Sequence, residues 1–214
     1  KPDKALLNDI NVYLINFFKH LQKGLEPELL SINTEEQFYN YRERFNNLIK
    51  VGQENSKEAA ELFFYLNKTC YNGLCRFNRE GLFNVPYGRY KSVNYDLDYN
   101  AYKSIFNSWE FSCCDFEDLK LADSDFIYAD PPYDVDFTAY SKGGFQWADQ
   151  IRLVEWLSKH PGPVVLSNQA TERIVKLYRD YGFSISYFDA PRMISCNGDR
   201  TPAKEVLATK GLQT

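Results

Sequence analysis

From residue 110 to the end of the chain, short apolar runs and longer amphipathic stretches take turns, and this alternation restricts the fold more than any other feature. The runs 110–113, 126–129, 164–167, 183–188 and 205–209 have strand length, while 147–159 and 171–181 carry apolar residues at helical spacing. Such a β-α-β rhythm predicts an α/β domain with a mainly parallel sheet covered on both faces. An early strand-like run over 5–9 extends the rhythm to the start of the chain. It is followed by a helix over 11–23 with Val12, Ile15, Phe18 and Leu21 in phase and Gly24 and Pro27 behind it.

Residues 33–104 break that rhythm. Thr34-Glu35-Glu36-Gln37 reads as a capping box opening a helix with Phe38, Tyr41, Phe45 and Leu48 on one face. Ser56 is placed to cap a third helix, in which Ala59, Leu62, Phe63 and Leu66 repeat. From 70 to 94 the period is lost among Gly, Asn, Arg and aromatic residues, which predicts a structured loop or hairpin. A short helix over 97–106 leads back to the strands. The expected organisation is therefore a lobe of 33–104 inserted into a domain made of 1–32 and 105–214.

Composition excludes several classes. With 44% hydrophobic and 25% charged residues, the chain is neither disordered nor of low complexity. No apolar run approaches the length of a membrane span, so no membrane partner is expected. Five cysteines (Cys70, Cys75, Cys113, Cys114, Cys196) without a Cys-x-x-Cys argue against a disulfide framework and against zinc, and fit a reducing cytoplasm. His20 and His160 are the only histidines, and neither sits in a hydrolase triad context. Net charge is −4, yet between Asn67 and Tyr95 five basic residues (Lys68, Arg76, Arg79, Arg89, Lys91) face Glu80 alone. Such a local basic patch fits a confined anionic contact, or simply a solvated surface.

Asp130-Pro131-Pro132-Tyr133 follows the apolar run 126–129 and so stands at the carboxyl end of a strand, where ligands bind in open α/β sheets. Consecutive prolines cannot continue a ladder and fix an extended exit. A peptide carbonyl then projects beside the Asp carboxylate. Two such acceptors suit a planar exocyclic amine. They favour a pyramidal nitrogen and free the lone pair that the aromatic ring otherwise withdraws, while Tyr133 offers a stacking face worth roughly 1–3 kcal/mol.

The stretch Tyr71-Asn72-Gly73-Leu74-Cys75-Arg76, with Asn78, Gly81 and Phe83-Asn84-Val85-Pro86-Tyr87-Gly88-Arg89-Tyr90, resembles the target-recognition segment of Dam-type DNA adenine-N6 methyltransferases. Asp130-Pro131-Pro132-Tyr133 occupies the place of that family's catalytic motif, and the similarity runs on to Leu166-Ser167-Asn168 and Ser195-Cys196-Asn197-Gly198. The resemblance implies a Rossmann-like S-adenosylmethionine-dependent sheet with an inserted, mainly helical target-recognition lobe. It also implies methyl transfer to N6 of a flipped adenine, a GATC target in double-stranded DNA, S-adenosylhomocysteine as product and no metal.

Carried over residue by residue, the resemblance makes Asp130, Pro131, Pro132 and Tyr133 catalytic. Asp9, Asp115, Phe116 and again Asp130 become cofactor residues. Tyr71, Asn72, Leu74, Arg76, Pro86, Arg89, Tyr90, Lys91 and Asn197 become DNA contacts. Elementary chemistry agrees for several: Arg76 can pair bidentately with guanine, Leu74 and Pro86 can meet a thymine methyl, and Arg89 and Lys91 suit phosphates. Tyr71 and Asn72 could brace the stack that the adenine leaves. Asp9 is equally suited to capping the following helix, Phe116 to core packing, and the 192–200 loop to plain surface.

The family's aromatic-x-Gly-x-Gly loop and the lysine-bearing segment before it have no counterpart here, and the chain has no initiator Met. A missing upstream stretch of the catalytic domain is expected. Two other readings compete: a non-catalytic DNA-binding protein on the same scaffold, and a methyltransferase of cytosine N4, RNA or a protein amide. A cytoplasmic enzyme of a bacterium or phage, with a cognate restriction endonuclease as a further partner, completes the expectation.

Overall fold

The computed structural model describes the chain apart from residues 1, 29–32, 94, 96, 97, 135–143, 191–202 and 213–214. It divides into two compact units, Lys1–Phe116 and Glu117–Thr214.

The first unit begins with strand β1 (Leu6–Asn8), which pairs in parallel with β2 (Glu110–Ser112), Leu6 opposite Glu110 and Asn8 opposite Ser112. Between them come helices α1 (Val12–Gln22), α2 (Glu35–Lys50), α3 (Lys57–Thr69) and α4 (Tyr99–Phe106). Each helix starts where a side chain can take up its orphan amides. The Asn11 side chain accepts from the amides of Tyr13 and Leu14, Thr34 from Gln37, Ser56 from Ala59, and Asp98 from Ala101. Thr34 supplies its half of the expected capping box.

The core of this unit is aromatic. Phe38, Phe45, Tyr65 and Leu66 are fully buried, together with Ala60 and Leu62. Phe45 on α2 meets Tyr13 of α1 edge-on at 5.3 Å between ring centres, and also Phe63 of α3 and Phe83 of the following loop. Phe17 stacks on Phe64 at 5.0 Å. Apolar spacing in the sequence is thus realised as three helix faces closing on shared rings.

The second unit carries β3 (Ile127–Ala129), α5 (Trp147–Lys159), β4 (Val164–Gln169), α6 (Glu172–Asp180), β5 (Ser184–Ala190) and β6 (Ala203–Lys210). The sheet order is β3-β4-β6-β5. β3 and β4 run parallel, while β6 is antiparallel to both β4 and β5. The sheet is therefore mixed rather than mainly parallel. A parallel return needs a long crossover, usually helical, and the sequence between β5 and β6 has no apolar helical period. Val164, Leu166, Val206 and Ala208 form the fully buried centre with Val154, Leu157, Ile174 and Tyr178 of the helices. The whole is a mixed α/β chain, and no helix among the described residues is long and apolar enough to cross a membrane.

Candidate active site

Asp130 leaves the end of β3 with its side chain at the surface, followed by buried Pro131 and exposed Pro132. The Ser167 hydroxyl, on neighbouring β4, donates to Asp130 Oδ1 at 2.6 Å. Parallel pairing of Ala129 with Leu166 brings the two residues together. Among the described residues no donor reaches the second Asp130 oxygen or the Pro131 carbonyl. Among the described residues the motif thus leaves two acceptors, on successive residues, without a donor.

The backbone after the motif is held by a buried polar network. Gln150 of α5 donates to the Pro132 carbonyl at 2.8 Å. Asn168, fully buried on β4, donates to Gln150 Oε1 and to the Tyr178 hydroxyl, and its carbonyl accepts from the amides of Asp134 and Gln169. Every hydrogen-bonding position of that amide is used, which makes the network rigidifying rather than costly. The Asp134 carboxylate is buried and bound by Thr171 and by the fork of Arg173, and the same guanidinium lies over the Trp147 ring at 4.6 Å. A buried carboxylate is tolerated only when paired in this way.

Tyr133 is half-buried and its hydroxyl donates to Glu205 Oε2 on β6 at 3.2 Å. Burial, then the nearby carboxylates of Asp130 and Glu205, push its phenol up to about 12 against a lowering contact with Ser167. Burial also raises Tyr178 and Tyr65 well above the ordinary value of 10.0, and Tyr95 to about 12. The folded state therefore holds these protons more tightly than the unfolded chain. That contribution is complete below pH 10 and is lost as pH rises from there through 12. Denaturant midpoints should hold steady up to about pH 10 and fall above it. A midpoint still constant at pH 11.5, about midway through this window, would show that burial does not protect the phenols.

In the first unit, Asp9 and Asp115 follow the ends of adjacent parallel strands and lie, half-buried, at the same carboxyl edge. Asn8 fastens this edge: its amide donates to the Cys114 carbonyl, and its oxygen accepts from the Cys114 amide and the Ser112 hydroxyl. Asp9 accepts from the Asn11 amide at 2.7 Å and so closes the turn into α1, but the cap of that helix is Asn11 itself rather than Asp9. Phe116, next to Asp115 in sequence, is half-buried. A carboxylate at this edge beside an aromatic ring fits a nucleoside, whose ribose hydroxyls need acceptors. Among the described residues no group of three acidic, His or Cys side chains could hold a metal ion.

The 70–91 segment is not free chain. The Asn46 amide of α2 pairs with both the amide and carbonyl of Phe83, as a strand partner would, and Arg42 donates to the Val85 carbonyl. Bridges join Cys70 to Tyr87 and Phe77 to Phe83. Asn72 turns the chain at φ 53°, a left-handed conformation that Asn tolerates. At Gly88 a Cβ would meet the Cys70 carbonyl oxygen at 2.7 Å, so only glycine allows the two backbones this close. On this frame Tyr71, Arg76, Pro86, Arg89, Tyr90 and Lys91 are exposed, Asn72 and Leu74 half-buried. Arg76 is already oriented, with Nε donating to the Asn84 side chain at 2.9 Å and Nη2 to its carbonyl. Arg89 pairs with Glu35 at the surface. Asn197 and the loop around it lie outside the described residues.

The resemblance covers Ser167 and Asn168 but gives them no role, and the sequence does not mark Gln150, Asp134 or Glu205. The available signal was weak: polar residues within otherwise apolar strand and helix faces.

Residues 1–194 match the family of D12 class N6 adenine-specific DNA methyltransferases. The chain is similar to the DNA N-6-adenine-methyltransferase of Escherichia phage P1, 36% identical over 94% of this chain and 29% of that protein. It is similar to the type II methyltransferase M.MjaIII of Methanocaldococcus jannaschii, 36% identical over 92% of this chain and 76% of the relative. A DNA adenine methylase of Serratia marcescens is 35% identical over 96% and 82%. With the strand-end Asp-Pro-Pro-Tyr and the family match over most of its length, this chain belongs to the D12 class of N6 adenine-specific DNA methyltransferases.

Proposed function

We propose that the protein transfers a methyl group from S-adenosylmethionine to N6 of an adenine extruded from double-stranded DNA, within GATC. The observation that carries this reading is Asp130 at the end of β3, one oxygen bound to Ser167 and the other, like the carbonyl of Pro131 next in sequence, met by no donor among the described residues. Those two oxygens accept the two N6 hydrogens, and Tyr133 lies against the base. Gln150 already holds the Pro132 carbonyl, which favours the Pro131 carbonyl, without a described donor, as the second acceptor. S-adenosylmethionine supplies an electrophilic methyl when bound. Asp9, Asp115, Phe116 and Asp130 are the residues assigned to hold it, its ribose at the β1–β2 edge, in a Rossmann-like sheet. The Asp130 carboxylate receives the proton that the nitrogen releases after transfer.

In this reading residues 33–104 form the target-recognition lobe, inserted between catalytic segments 1–32 and 105–214. The exposed Tyr71, Arg76, Pro86, Arg89, Tyr90 and Lys91, with Asn72 and Leu74, meet DNA, and Asn197 joins them. The anchoring of this loop on an aromatic helical core supports the assignment, since base readout needs donors on a stiff frame. The relatives include a type II methyltransferase, which supports a restriction endonuclease as a functional partner, and come from phage and bacteria among others, which supports a cytoplasmic site of action.

Incubation with methyl-labelled S-adenosylmethionine and duplexes bearing GATC, a scrambled site or only G·C pairs tests the proposal. Label is expected on adenine of GATC alone; label confined to cytosine rejects it. Arg76→Ala is expected to weaken discrimination at one base pair of the site by about 1–3 kcal/mol, read as the ratio of kcat/KM on substituted duplexes. An unchanged ratio would remove Arg76 from direct readout.

A further inference from the structure

We infer that Ser167 is a positioning residue for methyl transfer, presenting the free oxygen of Asp130 to the amino group; the inference rests on the function proposed above. The Ser167 side chain is almost wholly buried and has one proton to give. Of the acceptors in reach, Asp130 Oδ1 lies at 2.6 Å and the Ala129 carbonyl and Tyr128 hydroxyl at 3.4 Å, with the Tyr133 phenol a further contact. Distance and charge both assign the proton to the carboxylate. The contact between the Ser167 and Tyr128 hydroxyls at 3.4 Å then has one polarity, with the phenol donating to the serine oxygen. A short chain results, Tyr128 to Ser167 to Asp130, whose bonds reinforce one another.

The consequence is geometric. An exposed Asp at the end of a strand otherwise turns about χ1 and χ2, and its two oxygens exchange places. Fastening Oδ1 to a residue on the adjacent strand stops that rotation, and the sheet register decides where Oδ2 points. Because β4 is central in its sheet, paired on both sides, the hydroxyl itself is rigidly placed. The neighbouring Asn168 network holds the backbone downstream of the motif, so carboxylate and carbonyl are oriented by two adjacent residues of one strand. In this arrangement Ser167 touches neither base nor cofactor and acts through Asp130, with a further contact to the Tyr133 phenol.

The test uses the full protein with S-adenosylmethionine, single-turnover methylation, and a duplex carrying 2-aminopurine at the target adenine, whose fluorescence rises when the base leaves the stack. Ser167→Ala removes one hydroxyl and leaves no cavity of consequence. It is expected to lower the methylation rate about 10- to 100-fold, the effect of losing a hydrogen bond to a charged group. DNA affinity, the 2-aminopurine signal and the melting temperature should stay as in the unaltered protein. Ser167→Thr, which keeps the hydroxyl, should recover most of the rate. A Ser167→Ala protein with the unaltered rate would overturn the inference, and so would a rate loss matched by equal losses of binding and melting temperature. Failure of the unaltered protein itself to methylate adenine would instead overturn the function on which the inference rests.

Discussion

Asp130→Ala is expected to abolish adenine methylation while leaving DNA binding nearly intact. The substitution removes the carboxylate acceptor of the motif, and the carbonyl of Pro131 cannot by itself hold both hydrogens of an amino group. Removing a preorganised group that interacts with the reacting atoms costs on the order of 10²- to 10³-fold in kcat. The loss here should reach the upper end or exceed it, since the same carboxylate also receives the proton. Single-turnover methylation and a DNA titration on one preparation check this. The fold should be unaffected, because Asp130 is exposed and its only described partner is the Ser167 hydroxyl. If binding is lost while residual turnover is unaltered, Asp130 is a DNA contact and the assignment of the motif is wrong.

Phe45→Ala should produce the largest stability change. Phe45 is fully buried and its ring touches Tyr13, Phe63 and Phe83, which belong to α1, α3 and the 70–91 segment. One side chain therefore fills the point where three parts of the first unit meet. Phe-to-Ala changes at such positions cost about 3–5 kcal/mol, from lost burial plus the cavity left behind. Chemical denaturation should show that loss. Because the next residue, Asn46, holds the Phe83 backbone, the substitution should also weaken DNA affinity under conditions where the protein remains folded. A destabilisation below about 1 kcal/mol would mean that the surrounding rings close over the gap.

These two residues mark different degrees of legibility. Phe45 was placed correctly by period alone: Phe38, Tyr41, Phe45 and Leu48 recur at helical spacing, and Phe38 and Phe45 are the fully buried members. The caps Thr34 and Ser56 were equally readable, because each acts on an amide three residues away, whereas α1 is capped by Asn11 and not by Asp9. The strands at 110–112, 127–129 and 164–169 fell where apolar runs predicted them. Strand direction was not so readable. β6 lies antiparallel between β4 and β5, and only the missing helical period before it carried a hint.

The tight turns of the 70–91 segment could be anticipated from its Gly and Asn content. Its support could not. Asn46 and Arg42 reach the loop from a helix some forty residues earlier, and nothing in the spacing of either residue announces that contact. Asn84 likewise holds Arg76 across a turn, leaving the guanidinium aimed before any base arrives.

By itself the sequence determined what depends on neighbours along the chain: helix faces, caps, the strand exit at Asp130 and the family resemblance of two motifs. Tertiary structure alone decided which partners those groups meet. Ser167 stands beside Asp130 because two strands pair in one register, and Asn168 can bind Gln150, Tyr178 and Asp134 at once because three segments converge on its strand. Hydrogen bonds reach about 3 Å and have direction, so groups distant in sequence acquire a joint function only once packing has fixed their separation and angle.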